Sequence, residues 1–352
     1  MGGMLVKYGV GLAMLFAVFH TPYPLSYPAY FGNRINTTAD NPLTVEGVAL
    51  GRRLFYERRL SANNTISCGT CHQQNRAFTD GRRFSLGYDG TPTRRNSMSL
   101  ANVLWTRHFF WDGRAASLED QAVTPLTDAH EMGQSLDSSA RKLAGAPGYS
   151  AMFAAAFGSA EITPERIVRA IGQFERTLIS ADAPYDRYLH GEYAFSASER
   201  RGYELFFGSG AAGAGRVRSA GCGNCHGGPR IVTETYHNNG LDSEPVDSGR
   251  QGVTQMSYDR GRFRVVSLRN VALTAPYMHD GRFGTLGEVI DHYSEHVAAS
   301  PTLSPSLQDT GRKPIRLHLS GEEKAELIAF LNTLTDSTFI TDPRFADPKT
   351  DK

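Results

Sequence analysis

The chain has 352 residues, and its 37 lysines and arginines nearly cancel 36 aspartates and glutamates, for a formal charge of +1. With no long run of one sign, that balance excludes a nucleic-acid groove and a polybasic membrane patch. The length allows two compact domains, each with a core of its own.

The N-terminal MGGMLVKYGVGLAMLFAVFH carries one early lysine and then an apolar run from Tyr8 to Phe19. That run is too short to span a bilayer and suits the core of an export signal. No small-x-small cleavage site follows it, so residues 1–22 read as an export signal or an uncleaved anchor, the one route to a membrane, and the expected location is periplasmic. Residues 23–40, rich in Pro, Asn and Tyr, read as an extended lead-in.

A first domain is predicted over 41–192. Thr44 can cap a helix in which Val48, Leu50, Leu54 and Phe55 recur at helical spacing, and SCGTCH (67–72) follows it. The helix TPERIVRAIGQFERTLI (163–179) opens with a Thr cap and a Pro at its first position. A second domain is predicted over 193–345, in the same order. Ser196 or Ser198 caps ASERRGYELFFG, GCGNCH (221–226) follows, and SGEEKAELIAFLNTLTD (320–336) carries a Ser320 to Glu323 capping box with Leu327, Ile328, Leu331 and Leu334 on one face. No alternating strand pattern of useful length competes. Residues 208–221 and 240–262 are the loosest loops. The fold class is mostly α, in two domains with long Gly- and Pro-containing loops.

Residues 99–125 and 267–293 align without a gap at a constant offset of 168, agreeing at nine positions that include Asn102 with Asn270 and Asp112-Gly113-Arg114 with Asp280-Gly281-Arg282. That similarity predicts an internal duplication.

The two C-x-x-C pairs use every cysteine in the chain. Zinc ribbons place two such pairs close enough for one ion, which the distance from Cys71 to Cys222 does not fit. A redox pair would not require His at the next position twice. In C-x-x-C-H both thiols add to one haem and the His meets its iron. Cys68, Cys71 and His72 are therefore expected to hold one haem c, and Cys222, Cys225 and His226 a second.

The offset then pairs Tyr293 with Pro125. A tyrosine can offer its oxygen to iron, whereas proline has no donor. The expectation is an open face opposite His72 and a His/Tyr-ligated second haem. His292 and His296 are rival ligands, and simple helix packing is the bland role for Tyr293.

With C-x-x-C-H twice, FFWDGRAASLEDQA after the first and LTAPYMHDGRFGTLGEV after the second, the chain resembles the bacterial diheme cytochrome c peroxidase and MauG family from about residue 40 to residue 340. The resemblance implies two cytochrome c-like haem domains, related by internal duplication, with a tryptophan between the haems, at Trp111. It places Gln121, Glu131 and Pro125 on the open face, with Glu131 as proton shuttle; Glu119 and Asp120 are rivals by chemistry alone. It implies a calcium bound by Asn96 and the carbonyls of Thr274 and Pro276, and a haem-propionate contact at His279. Peroxidases proper carry methionine at the position of Tyr293 and a blocking histidine in the loop after the first motif. Here the loop reads FSLGYDGTP, and no histidine stands between His72 and His108, which is the pattern of the MauG-like branch.

The implied activity is reaction of hydrogen peroxide at the first haem, with the oxidising equivalents shared with the second through Trp111. The electrons then come from a small periplasmic donor, a cytochrome c or cupredoxin. Alternatively, as in MauG, they come from a side chain such as Trp on a partner protein, by way of aromatic residues such as Trp105, Tyr203, Phe206 or Tyr236. A non-enzymatic diheme electron carrier is the reading from a different class.

Overall fold

The computed structural model describes residues 20–208 and 219–349. The apolar run Tyr8–Phe19 and most of the 208–221 loop lie outside the described residues. The protein is mostly helical. Its principal helices are α1 (Val45–Phe55), α2 (Leu118–Thr127), α3 (Leu136–Ala144), α4 (Tyr149–Phe157), α5 (Pro164–Glu175), α6 (Pro184–Leu189), α7 (Ala197–Phe207), α8 (Leu286–Asp291) and α9 (Gly321–Asn332). Where the sequence predicts no strands, one short antiparallel ladder forms, with Tyr236 opposite Arg264 and His237 opposite Phe263.

The predicted caps are made. Thr44 accepts from the Gly47 amide, Thr163 from that of Arg166, Ser196 from that of Glu199 and Ser320 from that of Glu323. Each takes up an N–H that the first helical turn leaves without a partner.

These caps start two matching helix crossings, α1 on α5 and α7 on α9. Each crossing turns on a glycine. A Cβ on Gly51 would collide with the Ala170 carbonyl and one on Gly202 with that of Glu326, while Phe174 and Phe330 close the two contacts with their own Cβ atoms. Only a residue without a side chain lets the backbones approach so closely.

The turns on the predicted repeat also match. Asn102 and Asn270 both adopt left-handed backbone (φ 62° each), a conformation Asn tolerates. Their amides donate to the carbonyls of Leu178 and Leu334, and their side-chain oxygens accept from the amides of Ser180 and Asp336. The two turns adjoin, because Ser180 Oγ donates to Asp336 at 3.0 Å. Phe109 pairs with Ala115, and Tyr277 with Phe283, across the two Asp-Gly-Arg turns.

The halves interlock. Leu50, Leu54, Phe153, Ile167 and Ile171 fill one cluster, and a second around Phe55, Phe78, Phe174 and Leu178 takes in Phe339 and Phe345 from the far end of the chain. Conversely, Tyr185 of α6 packs with Leu205, Phe206, Leu327 and Phe330, and its amide donates to the Thr333 carbonyl. Asp186 forms a buried two-point pair with Arg269, whose guanidinium also donates to the Pro229 carbonyl. The 23–40 lead-in is tied to the rest of the chain: the Tyr23 amide donates to the Leu43 carbonyl, and Phe31 is buried against Leu104 and Trp105.

The two equivalent helices α2 and α8 begin at matching caps, Ser117 and Thr285, and then diverge. α2 runs on through Pro125, which has no N–H for the Gln121 carbonyl. The sequence reads helix through Tyr293, but α8 stops at Asp291 and opens into a five-residue π turn, His292–His296. Outside partners hold that wide turn, since Ser294 accepts from the Leu317 amide at its carbonyl and from the Leu319 amide at its hydroxyl. Single π turns of this kind cluster at functional sites. Among the described residues, no helix is long and apolar enough to cross a membrane.

Candidate functional site

The second motif opens on a cavity of about 570 Å³ lined by Cys222, Cys225, His226, Met278, Tyr293 and Leu331, among others. His226 is delivered by a short turn in which its amide donates to the Cys222 carbonyl. Its Nδ1 lies 3.1 Å from the Val266 carbonyl. A carbonyl can only accept, so Nδ1 carries the proton and Nε2 keeps a lone pair. Desolvation pushes His226 down to about 4, so the ring is neutral and able to ligate.

Tyr293 lines the same cavity. Desolvation pushes its phenol up to about 12, and the hydrogen bond from Asn239 works against that rise. The rival histidines are turned elsewhere: His292 is buried with Nε2 bonded to the Asn239 carbonyl at 3.0 Å, and His296 is exposed.

Two cations complete this cavity. Arg230 and Arg264 line it, desolvation lowers both, and among the described residues neither is bonded to a carboxylate. Arg264 donates only weakly, to the Phe110 carbonyl at 3.3 Å and to the Met98 sulfur. Two thiols, a neutral imidazole, a phenol in the same cavity and two guanidinium groups that feel Glu234 but make no direct carboxylate bond among the described residues fit a covalently attached haem with its acidic propionates.

The first motif has the same local chemistry. His72 Nδ1 donates to the Phe78 carbonyl at 2.8 Å, again leaving Nε2 free. The carbonyl is turned toward the ring by two successive left-handed residues, Ala77 (φ 48°) and Phe78 (φ 62°). Such a pair is costly outside glycine and is kept where a function fixes it. Desolvation also depresses His72.

Glu131 stands in the turn after α2. Its carbonyl accepts from the Tyr88 amide, and the FSLGYDGTP loop packs so tightly here that a Cβ on Gly87 would strike the His130 carbonyl. Desolvation and then Asp128 push Glu131 up to about 7, with Arg114 opposing. Burial above all raises the Cys68 and Cys71 thiols, and the charge of Glu131 adds a smaller push to both. Gln121 and Pro125 lie half-buried on α2; among the described residues no hydrogen bond joins Gln121 to Glu131. Of the rivals, Glu119 is taken by a two-point pair with Arg176 and by Asn41, and Asp120 is exposed.

Trp111 ties the two regions together. It lines the second cavity, its Nε1–H donates to the Asn96 carbonyl at 2.9 Å, and the next residue, Ser97, donates to the Cys71 carbonyl. Asn96, Thr274 and Pro276 line the same cavity. The Asn96 side-chain nitrogen donates to the Arg82 carbonyl, and among the described residues no donor is bonded to its side-chain oxygen. The Thr274 and Pro276 carbonyls accept no backbone donor among the described residues. Three free oxygens suit a hard cation. His279 is stacked on Phe263 at 3.8 Å and faces the same cavity.

A family model described as di-haem cytochrome c peroxidase matches residues 45–194. The methylamine utilization protein MauG of Methylorubrum extorquens is 38% identical over 326 residues, covering 92% of this chain and 85% of that protein. The chain belongs to the di-haem cytochrome c peroxidase and MauG family. It is also 32% identical to the cytochrome c551 peroxidase of Nitrosomonas europaea, over 84% of this chain and 82% of that one. Among solved structures, a MauG-like protein associated with microbial copper homeostasis superposes with a TM-score of 0.83 at 38% identity, covering 93% of this chain and 99% of that one. Members of the di-haem family are oxidoreductases acting on peroxide, and two haem c groups are what the family implies for the two Cys-x-x-Cys-His motifs.

Among the residues that escaped the sequence reading are Asn239, Arg264 and Glu175. Asn239 and Arg264 sit in a stretch without periodicity, where only a contact could single them out. Glu175 does lie in a helix with a clear apolar face. It is 4% exposed, one of its oxygens has no partner, and desolvation pushes it up to about 8.

Proposed function

We propose that this is an exported, periplasmic di-haem enzyme that reacts with hydrogen peroxide beside His72, where no second donor stands, and keeps Tyr293 as the ligand of a closed second centre. The observation that carries the reading is the divergence of α2 and α8 from matching caps: one helix presents Pro125 and the other a wide turn bearing Tyr293. The shared crossings and Asn turns support two haem domains, 41–192 and 193–345, related by duplication.

Haem bound at each cysteine pair supplies the iron that takes up oxidising equivalents from peroxide. The chain's own residues do the rest. Glu131, poised near neutrality, accepts a proton from one peroxide oxygen and returns it to the other, which leaves as water. The packed 86–92 loop, which has no histidine to offer, shields that carboxyl. Trp111, hydrogen-bonded toward Cys71 through Asn96 and exposed to the second cavity, is the indole that links the halves. A calcium on Asn96, Thr274 and Pro276 holds the seam around it, and His279 contacts a propionate.

The electrons come from a small periplasmic protein. A second reading, a MauG-like oxidase that modifies side chains of a partner protein, is favoured by the tyrosine at 293 together with the 38% identity to MauG. The test is to mix purified holoprotein with peroxide and then offer reduced cytochrome. One high-spin and one low-spin haem, prompt reaction and rapid turnover of the cytochrome support the peroxidase. Prompt reaction without turnover supports the modifying oxidase, and two low-spin haems inert to peroxide refute both.

A further inference from the structure

Two side chains that carry donor atoms share the cavity with His226. The Tyr293 hydroxyl and the Met278 sulfur both belong to its lining, and one nitrogen, Asn239 Nδ2, lies 3.2 Å from the oxygen and 3.4 Å from the sulfur. The backbone carbonyl of Asn239 accepts from Nε2 of His292, the residue just before Tyr293. Main chain and side chain of a single residue thus grip the wide turn at two successive positions.

Asn239 is itself anchored on both sides. The side chain of Asn238 reaches Ser300 and Thr302, its carbonyl accepts from the Ser304 amide, and the Gly240 carbonyl accepts from that of Ala298. The left-handed backbone of Met278 (φ 75°) is shared by its equivalent Phe110 (φ 65°), so it belongs to the common turn. What sets the second half apart is a sulfur where the first has a ring.

The two donors would make different metal centres. A thioether is soft and neutral and favours reduced iron; a phenolate is hard and anionic and favours the oxidised state. We propose that Asn239 is the positioning residue that makes the Tyr293 oxygen, rather than the Met278 sulfur, the donor toward the second haem iron. One N–H of the amide fixes the phenol oxygen, and the other holds the sulfur, a weak acceptor, against the amide. This rests on the reading of Tyr293 as a ligand.

The experiment compares holoprotein of Asn239→Leu, Met278→Leu, the Asn239→Leu/Met278→Leu double variant and Tyr293→Phe by optical and electron paramagnetic resonance spectra, and by the reduction potential of the second centre. Asn239→Leu is expected to lose part of the oxygen-ligated signature, gain a sulfur-ligated one and shift to higher potential. Met278→Leu alone should match the parent, and the double variant should regain the oxygen-ligated signature, which also establishes that the site still folds. Should Asn239→Leu fail to load haem, the isosteric Asn239→Asp, which removes the donor, is expected to show the same shift. Parent-like spectra and potential in Asn239→Leu overturn the proposal while leaving Tyr293 a ligand; parent-like spectra in Tyr293→Phe overturn both.

Discussion

Replacing Glu131 with Gln tests the proton shuttle directly. The carboxyl stands at about 7 because its surroundings withhold water and Asp128 adds a like charge. Accepting the peroxide proton needs the ionised form, so the reaction should accelerate as pH rises through that value. Each unit below it removes about tenfold of the carboxylate, so about 1% remains near pH 5. The rate constant for peroxide with the parent holoprotein should therefore fall about 100-fold from its plateau above pH 8 to about pH 5. Glu131→Gln should lower the plateau by roughly 10²–10⁴-fold, the usual share of a positioned acid or base, and flatten the profile. Stopped-flow mixing across this range reads both effects. His130→Gln, at an exposed neighbour, should leave the profile in place. A parent rate that is level from about pH 5 to 8, or a Gln variant within a few-fold of the parent, refutes the assignment.

Asp186→Asn should cost about 3–5 kcal/mol in chemical unfolding, because it leaves the fully buried Arg269 guanidinium without its anion; Asp182→Asn, which breaks an exposed pair with Arg187, should cost less than about 1 kcal/mol. Gly202→Ala should destabilise by roughly 1–3 kcal/mol or more, since its methyl meets the Glu326 backbone and not a movable side chain; a melting temperature equal to the parent's would show that the α7–α9 crossing yields. Dialysis against a calcium chelator should release a cation from the holoprotein and alter its haem spectrum, with recovery on adding calcium back; metal analysis finding none to release would count against the Asn96 site.

What the sequence disclosed followed the reach of the physics in it. The caps at Thr44, Thr163, Ser196 and Ser320 are local, set within three residues, and they form as predicted. The offset of 168 carried further, because equivalent residues in matching turns face equivalent neighbours: Asn102 and Asn270 take the same backbone, and Ser117 and Thr285 start the same helix. Pattern failed where a position depends on distant partners. The helix leading to Tyr293 widens because Ser294 is held by Leu317 and Leu319 and His292 by Asn239, more than fifty residues back in the chain. Nor does any period show that Glu175 is buried with one oxygen unbonded, or that Arg264 lines the cavity without a direct carboxylate bond among the described residues.

The docking of the chain's last residues on its first cysteine pair has a consequence for biogenesis. Phe339 stacks near Phe78, whose carbonyl orients His72, and the Gln74 side chain donates to the carbonyls of Phe339 and Asp342. A nascent polypeptide halted before this segment would present SCGTCH without the Phe339 and Phe345 side chains that share a cluster with Cys68. Haem attachment at the earlier motif can thus precede the packing of residues 339–345 beside it.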